Sequence, residues 1–278
     1  MPEQNAITEN SPIGVFDSGV GGLSILQAIA EQLPNERLIY LADTAFAPYG
    51  DRSDEQIIER AFAITAWMVE QGCKAVVVAC NTATAAAIQA LREHFSLPLI
   101  GVEPGLKPAI AHSPTGRVGV IATSYTVRSE KFRRLVQTLA QDVVLTVQAC
   151  PGLVETLEQP QEHEAKLDTL LATYLEPMKR NAVDTLVLGC THYIFLRERI
   201  SDYLGQNVEI LDTASAIARE VERQLIRTGQ AVAKPTAGRT FNNPKLRYLT
   251  TGSDREQIES VMSTLLGTEI QLERVELD

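Results

Sequence analysis

Two segments of the chain end an apolar, β-branched run in a cysteine and turn at once into helix-forming residues. Residues 76–85 read VVVACNTATA, and residues 185–193 read TLVLGCTHY. A short apolar run of this kind is a strand buried on both faces, and the segment behind it starts a helix. Cys80 and Cys190 stand at the same point of the two patterns, 110 residues apart (190 − 80). A chain that repeats strand, break and helix can bury such strands only in a parallel sheet covered by helices on both faces.

The same alternation runs along the rest of the chain. IGVF (13–16) leads into Asp17-Ser18-Gly19 and a helical pattern over 23–33. A strand over 37–43 passes through Ala47-Pro48-Tyr49-Gly50, a loop punctuated by Pro and Gly. Ser53, with Gln56 three residues on, forms a capping box for a helix reaching about residue 72. A strand over 75–79 delivers Cys80, followed by a helix over 82–95 and a strand over 97–102. Glu103-Pro104-Gly105, with Pro108 and Pro114 behind it, breaks the pattern and marks a boundary. The second part brings a strand over 117–122 ending at Thr123-Ser124, a helix over 126–139 and a strand over 143–149. A short segment over 153–158 carries Glu155 and Glu158, and a helix over 166–181 contains Pro177. Strands over 185–189 and 208–212, a helix over 214–229 and an irregular stretch over 230–244 follow. A strand over 247–251, a helix over 254–266 and a strand over 269–275 end the chain and suit a return to the first sheet.

The expected fold is α/β, with two pseudo-symmetric doubly wound domains, mostly parallel sheets and an active site in the cleft between them. The domains are residues 1–103 plus 213–278, and residues 104–212. IGVFDSG aligns with VGVIATS, matching Gly14 to Gly119, Asp17 to Ala122 and Ser18 to Thr123 at an offset of 105 (119 − 14). Ligands of such sheets sit beyond the carboxyl ends of the strands. Asp17, Ser18, Cys80, Asn81, Thr82, Thr123, Cys190, Thr191 and His192 all fall there.

Composition narrows the partners. The formal net charge is −10, against nucleic acid or an anionic membrane, both of which call for a basic face. With 45% hydrophobic and 22% charged residues the chain reads as soluble and globular, and no apolar run reaches membrane-span length. Residues 1–12 are polar, expected to be a loose arm and not a secretory signal. The four cysteines, Cys73, Cys80, Cys150 and Cys190, form no C-x-x-C pair, so zinc is not expected and reduced thiols in a cytoplasmic setting are.

A thiol at a helix N-terminus is a good acid/base group. Two thiols on opposite faces of a substrate carbon can remove a proton from one face and return one to the other. Such a racemisation or epimerisation requires no electrophilic cofactor, but it does require donors that stabilise developing charge. Asn81, Thr82, Thr191, Ser18 and backbone amides suit that task, and Asp17 and His192 lie beside the thiols. Cys73 and Cys150 read as buried small residues, Glu155 and Glu158 as solvated helix-start carboxylates, and Tyr49 as a loop aromatic.

IGVFDSGVGGLSIL, YLADTAFAPYG, VVVACNTATA, LVLGCTHY, ILDTASAIA and YLTTG resemble, in order and across nearly the whole chain, the glutamate racemase family. The resemblance implies a cofactor-independent isomerase that interconverts L- and D-glutamate for bacterial peptidoglycan, usually as a homodimer. It implies that Cys80 works on the D face and Cys190 on the L face, with Asp17 and His192 assisting. Asp17 and Ser18, Tyr49 and Gly50, Asn81 and Thr82, Thr123, and Thr191 and His192 match its glutamate-binding positions. Three departures stand out. Phe46-Ala47 replaces a frequent Arg-Cys. CPGLVETLE replaces CPxxVPLxE, so the assisting glutamate maps to Glu158 while Glu155 takes a Pro position. CTHYIFL replaces CTHYPLL.

The nearest rival is an aspartate racemase or another two-cysteine member of the superfamily. Those tend to carry Glu at the position of His192. A non-catalytic binding protein with this fold, or a single-thiol decarboxylase, sits poorly with the presence of both cysteines.

Overall fold

The structure is a computed structural model that describes residues 7–140, 142–158, 160–232 and 246–277. In chain order the first elements are β1 (Ile13–Asp17), α1 (Leu23–Gln32), β2 (Leu38–Ala42), a 3-10 turn (Tyr49–Asp51), α2 (Asp54–Glu70), β3 (Ala75–Val78), α3 (Asn81–His94) and β4 (Leu99–Gly101). Next come α4 (Leu106–His112), β5 (Arg117–Ala122), α5 (Ser124–Arg128), α6 (Glu130–Leu139), β6 (Val144–Ala149), α7 (Leu153–Leu157) and α8 (Pro160–Arg180). Then follow β7 (Thr185–Gly189), a second 3-10 turn (Thr191–Leu196), α9 (Arg197–Leu204), β8 (Glu209–Leu211), α10 (Ala214–Arg227), β9 (Leu246–Thr250), α11 (Arg255–Leu266) and β10 (Leu272–Arg274).

The chain divides into two compact units, Met1–Val102 with Ala214–Asp278, and Glu103–Thr213. The first holds a six-stranded sheet in the order β10-β9-β2-β1-β3-β4. The second holds a four-stranded sheet in the order β6-β5-β7-β8. Every strand pairing among the described residues is parallel. The α/β expectation therefore holds, and the two sheets share a topology. In each, the first strand is flanked by the second on one side and the third on the other, and the fourth lies beyond the third. The tail extends the first sheet through β9, which pairs with β2.

Burial explains the unbroken apolar runs. Every residue of β1, β2, β3 and β7 is buried, as strands covered on both faces must be. In the second unit alternate residues serve opposite faces. Ile121, Leu186 and Leu188 pack in a core with α8, whereas Val118, Val120 and Val187 pack with Leu106 and Ala109 of α4. The paired glycines Gly14 and Gly119 have a common packing role. A β-carbon at Gly14 would lie 2.7 Å from the Met68 sulfur of α2, and one at Gly119 would lie 2.7 Å from the Met178 sulfur of α8. Only glycine lets these methionines approach so closely.

Some expectations are corrected. The helix over 126–139 is two helices. Ser129 leaves helical geometry, accepts the Phe132 N–H at 3.2 Å and starts α6 as its N-cap. α4 occupies the stretch read as a break and boundary, where no helix was expected. Pro108 lies in the first turn, where a missing N–H costs no helix bond. α8 starts at Pro160, well before residue 166, with proline at the first helical position, where it is well tolerated. The capping box is present: Gln56 N–H donates to Ser53 Oγ and Ser53 N–H to Gln56 Oε1. The loose arm expected over 1–12 lies outside the described residues for 1–6, and the irregular stretch over 230–244 for 233–244. Among the described residues no helix is long and apolar enough to cross a membrane.

Candidate functional site

In the first unit the site residues gather at the carboxyl ends of β1, β2 and β3. Phe16 pairs with Val78, so two residues further on Ser18 stands beside Cys80. The Ser18 hydroxyl lies 3.5 Å from Cys80 Sγ, either atom able to donate, and donates to Asp17 Oδ1 at 3.4 Å. Asp17 is fully buried, and its Oδ1 also accepts the Gly19 N–H at 2.8 Å. Cys80 is the N-cap of α3, with Sγ accepting the Ala83 N–H at 3.5 Å. The sulfur thus sits at the positive end of a helix dipole, and the amides of Asn81 and Thr82 belong to its first turn, an arrangement suited to a carboxylate. Asn81 is tied down by donating from Nδ2 to the Val102 carbonyl at 3.4 Å.

Tyr49 and Gly50 open the 3-10 turn that follows Pro48. Tyr49 is buried and donates its hydroxyl to Asp43 Oδ2 at 2.6 Å. Burial, then the charge and hydrogen bond of Asp43, then the charge of Cys80 hold its phenol well above the ordinary range. The phenol therefore stays a proton donor locked onto Asp43.

In the second unit Ala122 pairs with Gly189, which places Thr123 beside Cys190 just as Ser18 stands beside Cys80. Thr123 is the N-cap of α5 and accepts the Thr126 N–H at 3.2 Å. Cys190 is the N-cap of the second 3-10 turn, whose first residues are Thr191 and His192, both buried. Its Sγ lies 3.9 Å from His192 Nδ1, and His192 Nε2 lies 2.9 Å from Glu158 Oε1. Burial lowers the affinity of His192 for a proton, but the hydrogen bonds to Cys190 and Glu158 and the charges of both outweigh it, so its pKa stands well above the usual value. The imidazole thus bridges a thiol and a carboxylate. Glu158, at the end of α7, makes this contact, while Glu155 is exposed in the first turn of that helix.

The other two thiols lie in the cores. Burial pushes Cys73 and Cys150 each up to about 12, as expected for inert core thiols. Among the described residues no three His, Cys, Asp or Glu side chains are grouped to hold a metal ion. Sequence reasoning passed over Asp43, Arg60 and Thr251, although Asp43 follows β2 and Thr251 follows β9 as polar residues at strand ends. That position was the available signal.

The Asp/Glu/Hydantoin racemase family model matches residues 13–221. The glutamate racemase of Ralstonia pickettii is 45% identical over 267 residues, covering 96% of this chain and 92% of its own. The crystal structure of glutamate racemase isoform RacE1 from Bacillus anthracis superposes with a TM-score of 0.86 at 37% identity, covering 97% of this chain and 98% of its own. Escherichia coli glutamate racemase, solved in complex with L-glutamate and the activator UDP-MurNAc-ala, gives a TM-score of 0.82 at 31% identity, covering 96% of this chain and 99% of its own. With the family model spanning most of the chain and a relative this similar along nearly all of it, the protein belongs to the Asp/Glu/hydantoin racemase family, among the glutamate racemases.

Proposed function

We propose that the protein interconverts L- and D-glutamate by a two-base proton transfer at Cα, without pyridoxal phosphate or metal. Cys80 serves the D face and Cys190 the L face. From L-glutamate, the Cys190 thiolate takes the Cα proton and becomes a thiol, while the Cys80 thiol gives its proton to the opposite face and becomes a thiolate. The enzyme is then poised for the reverse direction, and proton exchange resets it. A carbon acid next to a carboxylate is very weak, so donors must meet the charge that develops there. The amides and side chains of Asn81 and Thr82 and of Thr191 and His192, the Tyr49-Gly50 turn, Ser18 and Thr123 fill that role. Asp17 assists Cys80, and His192 with Glu158 behind it assists Cys190.

The observation that carries this reading is the repeated placement of the thiols. In each unit a cysteine caps the turn after the third strand, and in each it touches a side chain able to pass or hold a proton. The Escherichia coli relative that binds L-glutamate supports the choice of substrate over aspartate. Four free cysteines suit a reducing, cytoplasmic setting. Supply of D-glutamate to peptidoglycan and a homodimeric state follow from the family resemblance.

The test is incubation of L-glutamate in D2O with purified protein, free of pyridoxal phosphate and added metal. Circular dichroism should decay to zero while the α-proton NMR signal disappears, with glutamate and not with aspartate. Exchange with aspartate instead would favour the rival racemase, and no exchange with any amino acid would sink the enzyme reading.

A further inference from the structure

Asp43 lies one residue beyond β2, is fully buried, and accepts four hydrogen bonds on its carboxylate. Its Oδ2 accepts the Tyr49 hydroxyl at 2.6 Å and Arg60 Nε at 2.9 Å. Its Oδ1 accepts Arg60 Nη2 at 2.6 Å and the Thr251 hydroxyl at 2.7 Å. Its backbone N–H donates to the Asp17 carbonyl at 2.9 Å, fixing its place beside the strand end that bears Asp17 and Ser18. A buried carboxylate is tolerable only when charge-paired and saturated with donors, and these four contacts saturate it.

The donors come from three separate parts of the first unit: the 3-10 turn, α2 and the end of β9. Thr251 adds a second tie, accepting the Ala45 N–H at 3.1 Å, and the Thr44 and Thr250 hydroxyls share a 2.8 Å bond. Gly252 allows this close packing, since a β-carbon there would fall 2.3 Å from Thr44 Oγ1. Phe46 closes the cluster. Its ring meets that of Tyr49 edge-on at 5.6 Å and lies under the guanidinium groups of Arg52 and Arg60 at 4.6 and 5.6 Å. Asp43, Thr44, Ala45, Phe46 and Tyr49 are thereby each held by a contact that leads back to this carboxylate or its neighbours.

We infer that Asp43 is a positioning residue: by gathering Tyr49, Arg60 and Thr251 on one carboxylate, it fixes the turn that presents the Tyr49 and Gly50 backbone to substrate. This rests on the proposed glutamate site. It assigns to the tail, through Thr251, a part in substrate binding that Thr251 plays without reaching the substrate. Loss of positioning changes binding and orientation, so it shows in KM more than in kcat, whereas a loss of acid/base function shows in kcat.

The experiment compares Thr251→Val, Thr251→Ser and Asp43→Asn with the wild-type protein, by steady-state kinetics, thermal unfolding and peptide-level hydrogen exchange. Valine preserves the volume of threonine and removes only its hydroxyl, leaving the Tyr49 and Arg60 donors on Asp43, and thermal unfolding reports whether each variant is folded. For Thr251→Val the KM for glutamate should rise about three- to tenfold with kcat within about twofold, and amide exchange should quicken over residues 44–52. Thr251→Ser, which keeps the hydroxyl, should restore both. Asp43→Asn should raise KM by about tenfold or more. Wild-type KM and unchanged exchange in a folded Thr251→Val protein would overturn the inference, as would a defect that serine does not rescue. If the wild-type protein failed to racemise glutamate, the functional proposal would fall, and the exchange over 44–52 would still decide for or against the anchor.

Discussion

The two thiols occupy equivalent points of equivalent sheets and have different surroundings. Cys80 caps an α-helix of 14 residues and touches a hydroxyl, Ser18, behind which stands the buried Asp17. Cys190 caps a 3-10 turn of six residues and touches an imidazole, His192, behind which stands the half-buried Glu158. The common topology explains why both sulfurs lie at strand ends beside Ser18 and Thr123. The two sheets thus share the placement of the cysteines but not the side chains around them. The comparison extends one strand outward. Register places Asp43 beside Ser18, and Cys150 beside Thr123. One of these is a carboxylate saturated with donors, and the other a core thiol raised to about 12 by burial.

The largest expected effect breaks the pair outright. Cys80→Ala and Cys190→Ala should each lower racemisation by roughly 10²–10⁴-fold, the range of a general acid or base. Near-normal turnover in both directions from either variant would end the two-base scheme. A smaller effect sharpens the asymmetry. Glu158→Gln should lower kcat/KM about tenfold, equally from both enantiomers because their equilibrium constant is one. The α-deuterium isotope effect should then grow more for L-glutamate than for D-glutamate, since proton removal on the L face is slowed. Equal growth would show that His192 and Glu158 do not serve Cys190 in particular.

A third effect concerns stability. His192 has its folded-state pKa raised above 6.5, so the stability it contributes is fully present below about that pH. It is lost as pH rises through the folded value. The melting temperature of wild-type protein should therefore exceed that of His192→Asn most at acid pH, with the gap narrowing as pH rises. A gap that widens with pH would contradict the imidazolium–carboxylate pairing. The smallest effect is expected at Ser18→Ala, a loss of a few-fold in kcat/KM, because a neutral hydroxyl tunes the sulfur without carrying its proton.

Much of this was legible in the chain. VVVACNTATA and TLVLGCTHY announce buried strands that deliver thiols, because full burial leaves an unbroken apolar run. The match of Gly14 with Gly119 marked two places where a methionine on a covering helix meets the sheet. What escaped depends on neighbours distant in sequence. Ser129 splits a helix that periodicity reads as continuous, since a serine serves equally well inside a helix or at its start. α4 was hidden by prolines that the first turn of a helix accepts. Asp43 reads as the polar end of a strand, and its importance comes from Thr251, more than 200 residues away in the chain.

The most direct measurement follows the label during the first turnovers of L-glutamate in D2O. Two thiols acting on opposite faces predict product D-glutamate carrying deuterium at Cα, while the remaining L-glutamate keeps its protium. Protium retained in the product, or deuterium entering the unreacted L-glutamate at a comparable rate, would mean that one group works both faces and would contradict the account.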